Sequence, residues 1–190
     1  MGHAGETWNP FCNPGYAYAV VGGWYIWAST RGHGTYSMYT ENGEWSKVSD
    51  SALPFSGPAV FAPEHGLWFG FPHEGDGLLG AWDLNGGADA PVEASGLWAG
   101  FAPHRSFNMS SHLVHLGEGG RFCFAKLFRG PKPPRASDCE RCYYDSCPPD
   151  MGFAELTGVE VERCDGGELR MIKHRSCKYS LGQNSAHSVL

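Results

Sequence analysis

The sequence predicts an all-β protein built as an array of three to four blade-like sheets, a partial β-propeller. Three observations predict it. First, a glycine closes a turn and an apolar, mostly aromatic stretch follows at four places. These are Gly23-Trp24-Tyr25-Ile26-Trp27, Gly66-Leu67-Trp68-Phe69, Gly120-Arg121-Phe122-Cys123-Phe124 and Gly167-Glu168-Leu169-Arg170-Met171-Ile172. Their spacing of roughly 40–50 residues is the period of a propeller blade, a unit that buries its apolar faces only against stacked neighbours. Second, 27 Gly and 7 Trp in 190 residues suit strands joined by tight turns. Third, no stretch of about 12 residues keeps a helical apolar stripe free of Gly and Pro.

Residues 1–15, with Asn9-Pro10 and Asn13-Pro14-Gly15, read as an irregular lead-in. In the first unit, Tyr16 to Val21 and Trp24 to Trp27 flank Gly22-Gly23, a two-glycine hairpin signal. A second strand pair, Thr35 to Tyr39 and Trp45 to Val48, flanks Glu41-Asn42-Gly43-Glu44, where Asn-Gly supplies the positive φ of a tight turn. The second unit runs Ala59-Val60-Phe61, the turn Pro63 to Gly66, Leu67 to Phe71, and then Leu78 to Leu84. The third pairs His112 to Leu116 with Arg121 to Phe128 across Gly117 to Gly120. The fourth pairs Leu156 to Glu162 with Leu169 to His174 across Asp165-Gly166-Gly167. A Pro-, charge- and Cys-rich insertion at 129–150 separates these last two, and residues 182–190 read as a flexible polar tail.

Composition narrows the function classes. Charged residues are only 18% and the formal net charge is −6, without the basic stripe that phosphate binding needs, so no nucleic-acid partner is expected. The N-terminus carries no signal-peptide pattern and no apolar run reaches a membrane-spanning length, so no membrane partner is expected. Seven Cys, an odd number, without an export signal predict a reducing compartment, cytoplasmic or nuclear.

One constellation carries possible metal chemistry. Cys139 and Cys142 form a C-x₂-C pair and Cys147 follows five residues later. Thiolates two residues apart can both reach a tetrahedral zinc ion. The fourth ligand would be Cys164 or a histidine such as His174 from the neighbouring unit. The bland alternative is an insertion with free thiols, and a redox C-x-x-C has only Arg141 nearby to lower a thiol pKa.

Elsewhere, His112 and His115 stand three apart, which alternation puts on opposite faces of a strand. His73, Glu74 and Asp76 read as a solvated turn tip. No Ser lies in G-x-S-x-G, and the Gly-rich turns match neither G-x-G-x-x-G nor a P-loop. No catalytic or cofactor-binding residues are predicted. The Trp and Tyr set reads as sheet packing.

Val20-Val21-Gly22-Gly23-Trp24-Tyr25-Ile26-Trp27, with Tyr36-Ser37-Met38-Tyr39 and Trp45 downstream, resembles a kelch repeat. Further on, four segments carry a second resemblance: Leu53-Pro54-Phe55-Ser56-Gly57-Pro58-Ala59, Ala62 to Gly70, His112 to Gly117, and Leu156 to Val161. They are similar to a group of uncharacterised kelch-like, F-box-associated plant proteins, especially from grasses. The likeness covers roughly residues 16–181. It implies a kelch-like propeller and a non-catalytic protein-binding module, related to the substrate-recognition propellers of ubiquitin ligases, with a protein partner and no cofactor. The chain departs from that pattern in showing no F-box segment and fewer units than a full ring, so an incomplete propeller is expected. The alternative is a zinc-stabilised protein centred on Cys139, Cys142 and Cys147.

Overall fold

A computed structural model of the chain describes residues 16–73, 79–88, 92–93, 107–129 and 152–182. The lead-in 1–15, nearly all of the insertion and all but the first residue of the tail lie outside them. The described residues form strands and turns and no helix.

In chain order the strands are β1 (Tyr16–Val21), β2 (Tyr25–Thr30), β3 (Gly34–Tyr39), β4 (Trp45–Ser49), β5 (Phe55–Ala62) and β6 (Leu67–Pro72). They continue as β7 (Gly80–Asp83), β8 (Val92–Glu93), β9 (Phe107–His115), β10 (Arg121–Arg129), β11 (Gly152–Arg163) and β12 (Leu169–Gly182). β1 to β4 form an antiparallel meander, and so do β5 to β8 and β9 to β12. We call these units 1, 2 and 3. The first two are joined where β1 pairs in parallel with β5, so that one sheet runs β4-β3-β2-β1-β5-β6-β7-β8 and a second runs β12-β11-β10-β9.

The four glycine turns therefore resolve into three units. Gly23, Gly66 and Gly120 each close the first hairpin of a unit, whereas Gly167 closes the last hairpin of unit 3. β11 pairs with β10 from Arg121↔Glu160 to Arg129↔Gly152, which places the expected fourth unit inside the third sheet. The insertion between β10 and β11 pushes the last hairpin far enough along the chain to mimic one more repeat.

The core is two apolar layers, one on each face of unit 2. Ala17, Ala19, Leu53, Phe55, Ala59, Trp68, Trp82 and Leu84 pack between units 1 and 2. Ala62, Leu67, Phe69, Leu79, Ala81, Leu113, Phe122, Phe124, Val159, Val161 and Leu169 pack between units 2 and 3. Alternation along β6 explains the pairing of layers: Trp68 faces one neighbour, Leu67 and Phe69 the other, and all three are buried. A strand apolar at every position is what burial on both faces demands. At roughly 25 cal/mol per Å² of apolar area, each fully buried Phe or Trp stabilises the stack by about 2–3 kcal/mol.

Unit 1 is more polar within. Ser29, Thr30, Thr35 and Ser37 are all buried. Thr35 Oγ1 donates to the Ser51 carbonyl (2.7 Å) and Ser29 Oγ accepts from the Leu53 amide (3.0 Å), which fastens the link from β4 to β5 onto the sheet.

Candidate functional site

The strand directions gather the turns after β1, β3, β5, β9 and β11 at one end of the molecule. β1, β3 and β5 run the same way, because β1 and β3 both pair antiparallel with β2 and β1 is parallel to β5. Hydrogen bonds from the β9–β10 and β11–β12 regions to the β5–β6 turn bring unit 3 into the same alignment.

Over units 2 and 3, this end is a polar clasp. Glu64, in the turn between β5 and β6, accepts hydrogen bonds from His115 Nε2 (2.9 Å) and from the Gly120 backbone amide. Its neighbour His65 donates from Nε2 to the Val161 carbonyl (3.1 Å), and the His65 carbonyl accepts from Arg163 (3.1 Å). Gly120 sits at φ 64° against the Val161 carbonyl and the His65 ring, so the close approach needs a residue without Cβ. Burial pushes the Glu64 carboxyl up, but the bonds from His115 and from the Glu64 and Gly120 amides outweigh it and hold the group below the ordinary carboxylate range. The His115 ring packs on Phe122 at 5.1 Å, and the His115–Glu64 pair links unit 3 to unit 2.

Over unit 1, the same end is aromatic and open. Trp24 and Tyr25 are 56% and 45% exposed. The Trp24 carbonyl accepts from both the amide and the hydroxyl of Thr40, each at 2.9 Å, tying the β1–β2 turn to the β3–β4 turn. Tyr25 and Tyr39 lie with ring centroids 5.2 Å apart, and the Tyr39 hydroxyl donates to Glu41. That bond, with burial and the neighbouring Tyr25, raises the Tyr39 phenol above its ordinary value, so it stays neutral. Asn42 bridges to Glu44 through its side chain (2.9 Å).

Charge at this end is one-sided. Glu41, Glu44, Glu64, Glu118, Asp165 and Glu168 lie in these turns. Of the arginines beside them, Arg121 is turned onto the Glu118 carbonyl, Arg163 onto the carbonyls of Gly167 and His65, and Arg170 onto the Glu162 carboxylate.

The sequence-predicted residues distribute differently. Cys139, Cys142 and Cys147 lie outside the described residues. Of their two candidate fourth ligands, Cys164 is exposed in the β11–β12 turn and His174 bonds Glu160 (3.0 Å). Among the described residues, no group of three His, Cys, Asp or Glu side chains is placed to hold a metal ion. His73 staples two chain segments, bonding Ser56 Oγ at 2.8 Å and the Leu53 carbonyl at 2.9 Å, while Glu74 and Asp76 lie outside the described residues. His115 shares its strand face with Leu113, and His112 lies on the other.

The sequence reading missed the Glu64–His115 clasp, whose members stand 51 residues apart, and it assigned all the aromatics to packing. Trp68 and Trp82 are buried between sheets, but Trp24 and Tyr25 are exposed. The signal that separates them was local: Trp24 follows two positive-φ glycines and so belongs to a turn rather than to a strand.

Two comparisons bear on identity. A family model described as a protein of unknown function, DUF1668, matches residues 7–179, and the chain belongs to that family. A search of curated proteins finds no match.

Proposed function

We propose that the chain is a non-catalytic protein-binding module, with its three units forming part of a kelch-like β-propeller and its turn-bearing end serving as the binding face. On this reading it is kin to the substrate-recognition propellers of F-box proteins. The observation that carries the binding face is the exposed pair Trp24 and Tyr25, with the Trp24 backbone tied to Thr40 and the Tyr25 ring set against Tyr39. Large aromatics fixed on turns give contact area at small entropic cost and are enriched where proteins meet partners. The three meanders, with the first strands of units 1 and 2 paired side by side, support the propeller part.

The test is affinity capture from cells that make the protein, using the native chain beside a Trp24→Ser/Tyr25→Ser variant. A partner recovered by the native chain and lost from a variant with unchanged melting temperature supports the reading. A partner recovered equally by both places binding elsewhere and overturns the assignment of the face.

A further inference from the structure

We infer that the aromatic and acidic turns of unit 1 receive a cationic segment of a partner protein, with an arginine or lysine side chain laid against Trp24 and Tyr25 and neutralised by Glu41 and Glu44. This rests on the binding-face reading above and narrows it to a partner chemistry.

Charge complementarity makes the case. Among the described residues, six carboxylate side chains stand in the turns of this end. The neighbouring guanidiniums are engaged within unit 3 or with the β5–β6 turn, Arg121 and Arg163 on backbone carbonyls and Arg170 on Glu162, leaving Glu41 and Glu44 of unit 1 without them. Glu41 and Glu44 accept hydrogen bonds from neutral groups, the Tyr39 hydroxyl and the Asn42 amide, so their negative charge stays uncompensated by these contacts. The aromatic component sits in the same two turns. A cation within about 6 Å of an indole or phenol face is attracted by the ring quadrupole, and Trp is the best such acceptor. The Trp24 carbonyl is bonded twice to Thr40, and the Tyr25 ring lies against Tyr39, so the Trp24 backbone and the Tyr25 ring are held beside the Glu41 turn before any partner arrives. Such preorganisation reduces the entropic cost of binding. An anionic partner would meet the same carboxylates as repulsion.

A labelled oligo-arginine peptide, followed by fluorescence anisotropy with oligo-glutamate as its counterpart, tests the inference. The native chain binds oligo-arginine and not oligo-glutamate, and the affinity falls steeply between ~0.03 M and ~0.3 M salt as the Debye length shortens. Trp24→Ala weakens oligo-arginine binding by about two- to fivefold, the range of an exposed cation–π contact. Glu41→Gln/Glu44→Gln weakens it further and flattens the salt dependence. The control is Glu160→Gln/Glu162→Gln on β11, which removes the same charge from unit 3, outside the turns of unit 1, and leaves the affinity unchanged. Equal loss from the two double variants would reduce the effect to net charge and overturn the site. Oligo-arginine binding unmoved by Trp24→Ala and by Glu41→Gln/Glu44→Gln would overturn it as well. If a captured partner still depends on Trp24 while oligo-arginine does not bind, the cationic inference falls and the binding face stands.

Discussion

The two junctions of the stack solve the same problem with different chemistry. Between units 1 and 2 the first strands pair directly, with Ala17↔Gly57 and Ala19↔Ala59 in register and Ala17, Ala19 and Ala59 in the layer they share. Trp68 then reaches across, its Nε1–H donating to the Val20 carbonyl at 2.7 Å. Between units 2 and 3, phenylalanines take the place of alanines. Phe69 meets Phe122 with centroids 4.9 Å apart and Phe71 meets Phe124 at 5.6 Å. Bulky rings keep the sheets apart, and specificity passes to the Glu64 and His65 clasp at the turn end. The first junction is thus tied by backbone pairing and one Trp68 bond, the second by ring contacts and the side-chain clasp.

The comparison breaks hardest at the aromatic layer. Phe122→Ala empties a fully buried site and is expected to cost about 3–5 kcal/mol, read as a lowered denaturation midpoint with an unchanged slope. A loss under about 1 kcal/mol would mean that Phe69 and Phe122 do not carry the junction.

Next come two glycines that share a conformation and differ in surroundings. Gly23→Ala, at φ 76° with open space around it, meets only left-handed strain of about 1–2 kcal/mol. Gly120→Ala adds a collision with the Val161 carbonyl and is expected to exceed the Gly23→Ala cost by at least ~1 kcal/mol in thermal melts. Equal costs would show that neither the Val161 carbonyl of its own unit nor the His65 ring of unit 2 closes on Gly120.

A smaller effect tests the first junction. Trp68→Phe keeps most of the ring and removes the donor to Val20, with an expected loss of about 1 kcal/mol. It should add independently to Phe122→Ala, whereas strong coupling would make the two junctions one.

The smallest effect is pH-dependent. The Glu64 carboxyl is lowered in the folded chain, so its contribution is present above its unfolded pKa and disappears as the pH falls through the folded value. Glu64→Gln removes that dependence. The loss near neutral pH is at most ~1 kcal/mol, because the group is partly exposed and screened, and it shrinks toward nothing in acid. A difference that grows as the pH falls would contradict the clasp.

Local structure was legible wherever a turn forces a backbone choice. Gly22-Gly23, Gly43, Gly66, Gly120 and Gly167 all adopt positive φ at the predicted hairpins, and β1, β3 and β10 run close to the expected segments. What lay hidden was pairing between distant segments. Nothing in residues 152–182 announces that Thr157 pairs with Phe124 across the insertion, so the last hairpin looked like a unit of its own. The clasp was hidden for the same reason, since Glu64 and His115 become neighbours only when two units stack. Periodicity reports which face of a strand is apolar and is silent on which sheet will cover it.

The central claim is that β9 to β12 form one unit, stacked on a second that is buried on both faces. Native-state hydrogen exchange across a denaturant series tests it most directly. The paired amides of β10 and β11, from Phe122 to Phe128 and from Phe153 to Val159, are expected to share one opening free energy and one denaturant dependence. Opening of the β11–β12 hairpin while β10 stays protected would contradict it.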